Sequence, residues 1–433
     1  MFQLKQHNTT VKQEMLAGLT TFLTMAYIVV VNPIILSDAG VPIDQVFVAT
    51  IIAAVIGTLM MGLLANYPIA IAPGMGLNAY FTYAVVLGSN GKIDYITAFG
   101  AVFVAGIIFV LLSLTPLREK LISSIPENLK LAITAGIGLF IAFIGLRMSG
   151  LVVANESNLV GLGNLRSEPV ILTIIGLAVT IILMARNVNG ALFIGMVITG
   201  VIAFFTGSLK IDGVVALPHL PEGILVWNPI DAIGDVISYG LYGVVFSFIL
   251  VTLFDTTGTM IGVAKQAGLM KDGKLKNARA ALLADSVATT AGAMVGTSPT
   301  TAFIESSSGV AAGGRTGLTS VTVGVLFIIA SFFSPLVTSI SEVSAITSPA
   351  LIIVGSLMIS AVKDINWNGI DEAFPAFLVI LTMPLTSSIS TGIALGFISY
   401  PLLKLAKGKA REVHPLLYVF AVLFFIQLVF LPH

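Results

Sequence analysis

The sequence predicts an all-α polytopic membrane protein folded as a 7+7 inverted repeat. About fourteen transmembrane segments are expected, with two half-helices, segments three and ten, meeting near the bilayer midplane. Three observations carry this. The 433 residues are 57% hydrophobic and only 10% charged, with a mean hydropathy of +1.03, whereas a soluble chain carries about 25% charged residues. The apolar runs are continuous, which argues against a β-barrel, whose strands alternate. Two of the apolar segments are short and prefaced by proline and small residues.

The segments run at 15–37, 43–65, 71–88, 94–115, 128–146, 169–186, 190–207, 237–262, 279–296, 299–313, 315–340, 347–362, 373–388 and 389–405. A further apolar stretch, 414–431, follows a basic linker and either spans the membrane or lies on it. With the N-terminus inside and the segments alternating, only Lys92, Arg147, Arg166 and Lys210 of the 21 Lys and Arg fall outside, leaving 17 inside. That distribution satisfies the positive-inside rule, and dropping one early segment would invert it. The N-terminus, MFQLKQHNTTVKQEM, is polar and shows no cleavable signal.

Seven is odd, so the second half enters the membrane inverted relative to the first. Segment three follows IAPGMGLNAYF and segment ten follows GTSPTTAFIES, each opening on a proline, Pro73 or Pro299. Neither segment is long enough to cross about 30 Å of hydrocarbon as helix. Each is expected to run extended and then start a helix near the midplane. The proline would sit in the first helical turn, where its missing N–H costs nothing, and the unpaired N–H groups would face a central cavity. Interrupted helices at matching positions of two repeats point to a transporter binding site.

Two carboxylates mark that site. Asp255 lies ten residues before Lys265 and Glu305 ten before Arg315. If the basic residues mark the cytoplasmic surface, both acids lie about 15 Å deep, near the middle of the core. An acid there is costly and is by default a functional residue. With Asn78 and free backbone groups, the pair offers acceptors and, when protonated, donors. That suits a flat heterocycle such as a nucleobase, on which Tyr80, Phe81, Phe254 and Phe303 could stack; each of these rings can equally serve helix packing. Asn78 alternatively holds segment three against segment ten, Glu305 alternatively caps its own half-helix, and Asp255 alternatively is a buried structural acid bonded to Thr256 or Thr257. Asp285, six residues past Arg279, reads as a partner in an interhelical hydrogen bond or salt bridge, with a role in coupling as the alternative.

Zero net charge argues against a nucleic-acid partner. Cysteine is absent, and the four histidines, His7, His219, His414 and His433, all lie outside the central segments. Neither a metal cluster nor an intramembrane serine protease can therefore be assembled, and no Gly-x-Gly-Asp motif of an aspartyl protease occurs; no cofactor is implied, and an enzyme is not expected.

MLAGLTTFLTMAYIVVVNP, APGMGLNAYF, LFDTTGTMIGVA, GTSPTTAFIESSSGVAAGGRTGLT and GFISYPLLKL resemble the AzgA-like purine nucleobase permeases, of the hypoxanthine/guanine type. These belong to the nucleobase–cation symporters with the uracil-permease fold, and the likeness covers essentially the whole chain. The resemblance implies proton symport of hypoxanthine, guanine or adenine across the plasma membrane, with a homodimer as the common assembly. It implies a core domain at 15–115 and 237–340, a gate domain at 116–207 and 341–405, and a C-terminal linker and apolar segment at 406–433. It also implies that Asp255 and Glu305 hydrogen-bond the base and handle the proton. Asn78 would line the pocket with Phe81, Phe254, Phe303, Ile304, Gly76 and the backbone after Pro73. Uracil-permease relatives carry a histidine one turn after the segment-eight acid, where this chain has Thr259, so proton handling falls on carboxylates. Sodium coupling, with Thr256, Thr297 and Ser298 as ligands, and an anion transporter of the same architecture are the alternatives.

Overall fold

The computed structural model describes residues 2–115, 124–218, 221, 223–271, 274–275 and 277–430. Arg118, Lys120 and Lys276 of the charge reading, and His219 and His433, lie outside them.

Among the described residues nine helices are long and apolar enough to cross a membrane, with shorter apolar helices at Ala191–Phe205 and Pro415–Val429. The first expected segment begins earlier than 15 and is broken. Thr10 caps α1 (Val11–Met25) through the Gln13 N–H, and a turn at Ala26–Tyr27 leads into α2 (Ile28–Ser37). Helix α3 spans Ile43–Met60 and α5 spans Tyr95–Ser113. Segments five to seven appear as α6 (Glu127–Met148), α7 (Glu168–Ala185) and α8 (Ala191–Phe205), with a surface hairpin, β2 (Val152–Asn155) and β3 (Leu159–Leu162), between α6 and α7.

Segment eight starts later than 237. The chain first forms a separate amphipathic helix, α9 (Pro229–Ser238), which has proline in its first turn and Asn228 as its cap. Left-handed Gly240 then turns it into α10 (Tyr242–Gln266). A two-residue hairpin, β4 (Met270–Lys271) and β5 (Lys274–Leu275), precedes α11 (Ala278–Val295). The second half closes with α13 (Gly317–Ala330), α14 (Ser334–Ser341), α15 (Ser344–Met358), α16 (Ile370–Thr386), α17 (Ile389–Ala406) and α18 (Pro415–Phe430).

At the centre the two interrupted segments meet. Strand β1 (Ile71–Pro73) pairs antiparallel with β6 (Thr300–Ala302), in the register Ile71↔Ala302, Ala72↔Thr301 and Pro73↔Thr300. Half-helix α4 (Met75–Ala79), continued by a wide turn at Tyr80–Val86, follows β1, and α12 (Ser306–Ala311) follows β6. The prolines therefore differ from the expectation. Pro73 ends a strand and Pro299 immediately precedes one, rather than opening a helical turn. A two-stranded ribbon consists entirely of edges, where a missing N–H is tolerated.

Backbone polar groups at this depth must be paired, and neighbouring hydroxyls complete what the ladder leaves open. Thr58 of α3 accepts from the Ile71 N–H at 3.0 Å and donates to its carbonyl at 2.9 Å. Thr289 of α11 accepts from Thr300 N at 3.0 Å, Thr256 of α10 from Ala302 N at 3.2 Å, and Ser306 from Ala70 N at 3.0 Å. Left-handed Gly296, φ +101°, ends α11 and delivers the chain into the crossing.

The helices pack in two groups. Around the crossing, α11 packs on α3 and α5, α13 on α1 and α3, and α10 on α5. In the other group α6 packs on α15 and α16, α16 on α17, and α7 on α8 and α15. Helix α18 lies against α17 and α10, with Phe424 and Phe420 on Phe397 and Phe246.

Candidate functional site

Both acids stand beside the strand crossing. The Asp255 carboxylate, on α10, hydrogen-bonds the Thr301 side chain in the middle of β6 and lies within electrostatic reach of Glu305. Glu305 occupies the position before the first residue of α12, yet its side chain does not cap that helix. It reaches instead to the turn between α1 and α2, where the Tyr27 hydroxyl donates to Oε1 at 2.6 Å. Its backbone carbonyl accepts from Ser308 at 2.7 Å and from Thr24 at 3.4 Å. Asp255 and Glu305 both remain partly exposed, so each keeps acceptor capacity for another molecule.

The other membrane acids are used up structurally. Asp285 is fully buried and accepts from Thr256 at 2.6 Å and Thr300 at 2.8 Å, tying α10, α11 and β6 together. Glu14, also fully buried, accepts from the backbone N–H of Arg315 at 3.0 Å and of Thr316 at 3.2 Å, and from the Thr319 hydroxyl at 2.5 Å. It thus satisfies two backbone N–H groups just before α13 starts.

The remaining expected residues divide. Ile304 is 54% exposed beside the acids, while Phe254 and Phe303 are buried next to them in sequence. Asn78 is fully buried and donates to Asn32 Oδ1 at 2.9 Å, and its own Oδ1 has no partner among the described residues. Asn32 in turn donates to Thr50 at 2.7 Å and to Thr297 at 2.9 Å, which links α2, α3, α4 and the approach to β6. Phe81 stacks on Phe99 of α5 with centroids 4.5 Å apart, and Tyr80 meets Phe248 edge-on at 5.2 Å. Gly76 faces Ile137 of α6, whose side chain occupies the space a Cβ would need.

Tyr27, Thr301 and Glu14 belong to this architecture and were not anticipated. A tyrosine in an apolar run carries no signal of its own, and Glu14 falls one residue before the expected first segment. On α10 the face below Asp255 is open: a Cβ at Gly258 or at Gly262 would meet nothing within 4 Å. Among the described residues no three His, Asp or Glu converge to hold a metal.

The chain is 69% identical over 429 residues to the guanine/hypoxanthine permease PbuO of Bacillus subtilis, covering 99% of each chain. It is 49% identical to PbuG, a guanine/hypoxanthine permease of the same organism, over 99% of each. It is 44% identical to the adenine permease AdeP of Escherichia coli, over 100% of this chain and 96% of that one. Among solved structures, the transmembrane domain of the cyanobacterial bicarbonate transporter BicA superposes with a TM-score of 0.66 at 14% identity, covering 88% of this chain and 97% of that one. This last likeness is one of fold alone. The Permease family model (Xan_ur_permease) matches residues 12–395. The chain is a multi-pass membrane protein, a transporter rather than an enzyme, and it belongs to that permease family.

Proposed function

We propose that this permease imports purine nucleobases, hypoxanthine and guanine first and adenine as a further candidate, by proton symport through an alternating-access cycle. The observation that carries this reading is the Asp255–Glu305 pair. Of the four acids described above in the membrane region, these two alone stay partly exposed, while Asp285 and Glu14 spend their oxygens on the protein's own donors. Ionised carboxylates accept from the ring and exocyclic N–H groups of a purine, and a protonated one also donates to its carbonyl. The names of the relatives at 69%, 49% and 44% identity support the same substrate class.

In this reading Asp255 and Glu305 bind the base, with Ile304, Phe303 and Phe254 forming the apolar surround. Asn78, Phe81 and Gly76 shape the half-helix from behind. A proton on the acid pair removes a charge that would oppose reorientation through a low-dielectric core. Tyr27 holds Glu305 in place while the base and proton come and go. The group of helices around the crossing is the core domain, and the group built on α6, α15, α16 and α17 is the gate against which it moves. The assembly would be a homodimer in the plasma membrane, with the N-terminus and Lys265 on the cytoplasmic side.

Uptake by the purified chain in proteoliposomes tests this, with a panel of competing bases at several pH values, with and without Na⁺. Competition by hypoxanthine and guanine, accumulation driven by an inward proton gradient and indifference to Na⁺ are expected. Accumulation that needs Na⁺ and ignores pH would overturn the coupling, and no competition by any purine would overturn the substrate.

A further inference from the structure

The two ends of α10 are in opposite states. Toward Lys265, one face carries Asp255, Gly258, Ile261 and Gly262, all at least partly exposed, and nothing packs on the two glycines. Toward the other end the helix is buried from Ser247 to Phe254. Ser247, fully buried, hydrogen-bonds Ser390 of α17 at 2.9 Å, and this bond joins the two packing groups. Tyr80, on the turn that continues α4, shares hydrogen bonds with both serines and is itself buried. Gln427 of α18 donates to Ser390 at 3.2 Å, entering where Gly243 leaves room for it.

Ser247 lies eight residues from Asp255, about 12 Å along the helix. The cluster therefore closes the end of the site opposite to Lys265. We propose that Tyr80, Ser247 and Ser390 form the gate that shuts this end, and that the Ser247–Ser390 contact breaks and re-forms once in each transport cycle. Neutral hydroxyls suit the task, since they pair when the gate is shut and bond to water when it opens, with no charge to bury in either state. An ion pair would carry a heavy desolvation term through each closure. This gate rests on the alternating-access reading above and adds to it the residues that decide access.

The chain contains no cysteine, so a Ser247→Cys/Ser390→Cys pair can be introduced into the full chain without further change. Oxidation in proteoliposomes should form the disulfide without any substrate, and reduction should reverse it. The cross-linked protein should lose purine uptake by at least about tenfold, because a gate that cannot open blocks the cycle, and a thiol reductant should restore it. A third substitution, Gly262→Cys, supplies a readout that needs no substrate. It sits about 22 Å along the helix from Ser247, too far to join the pair, and an impermeant maleimide should label it from the Lys265 side faster when the pair is oxidised than when it is reduced. Failure of the disulfide to form, full uptake while cross-linked, or labelling indifferent to cross-linking would each overturn the gate. A reduced protein that carries no purine would instead count against the proposed function, and the labelling would still judge the gate.

Discussion

The Tyr27 hydroxyl donates to Glu305 Oε1 across 2.6 Å, joining residues 278 positions apart. The contact extends, from the turn after α1, a longer grip of α1 on α12. Gln13 donates to the Ala312 carbonyl, Thr24 meets the Ser308 hydroxyl at 2.9 Å, and Gly309 comes close against Ala17 and Thr21. The Glu305 side chain is therefore held from the α1–α2 turn rather than by its own helix. A hydrogen bond to a carboxylate contributes about 1.5–3 kcal/mol. Tyr27→Phe should raise the KM for purine by about tenfold or more, since each 1.4 kcal/mol is a factor of ten, while the amount of inserted protein stays the same. Initial-rate uptake against substrate concentration measures this, and an unchanged KM would remove Tyr27 from the site.

Replacing the acids separates their roles. Glu305→Gln keeps the shape and the Tyr27 contact but cannot take up or release a proton, so accumulation of purine should cease while exchange of base across the membrane persists. Asp255→Ala removes an acceptor and leaves the Thr301 side chain without that partner, so binding itself should fall. Equilibrium binding of radiolabelled guanine to each solubilised variant distinguishes them. Full accumulation by the glutamine variant, or unchanged affinity of the alanine variant, would contradict the assignments.

Much of this was legible in the sequence, for physical reasons. Asp255 and Glu305 stand out because a charge in an apolar run is expensive and has few explanations. The half-helices are legible because length in residues fixes reach. The strand pairing of Ile71–Pro73 with Thr300–Ala302 is not, because three residues are too few to show an alternating pattern. The early start of the first helix at Val11 was hidden for a related reason. Lys12 and Glu14 make its first turn look like surface, yet Glu14 is fully buried. Its partners include two backbone N–H groups just before another helix, and a sequence records no such donors.

Glu14 thereby yields a stability prediction. Its carboxylate satisfies two backbone N–H groups and one hydroxyl, all of them at or next to the start of α13. Glu14→Gln turns an amide group toward donors and leaves at least one buried N–H unpaired, at about 1–3 kcal/mol per unsatisfied group. The thermal midpoint of the detergent-solubilised protein should drop by several degrees. An unchanged midpoint would show that water replaces the carboxylate at no cost.

The surface end of α16 and α17 carries the clearest pH signature. Lys404, buried at the end of α17, faces Asp371 at 3.2 Å, Glu372 at 2.8 Å and Glu412 at 3.3 Å, while Lys407 donates to Asp371 at 2.5 Å. Glu412 lies in the turn that leads into α18, so the cluster ties α16, α17 and the C-terminal helix together. The hydrogen bond from Lys407, assisted by Lys404, holds the Asp371 carboxyl well below the usual carboxylate range. A group whose folded-state value is depressed contributes stability above its unfolded value, and that contribution is lost as the pH falls through the folded value. The unfolded value for aspartate is about 3.9. The difference in thermal midpoint between the native chain and Asp371→Asn should therefore stay constant from pH 7 to pH 5 and shrink only below about pH 4. A difference that has already closed by pH 6 would mean that Asp371 takes up its proton above the usual carboxylate range and that the lysines do not hold it ionised.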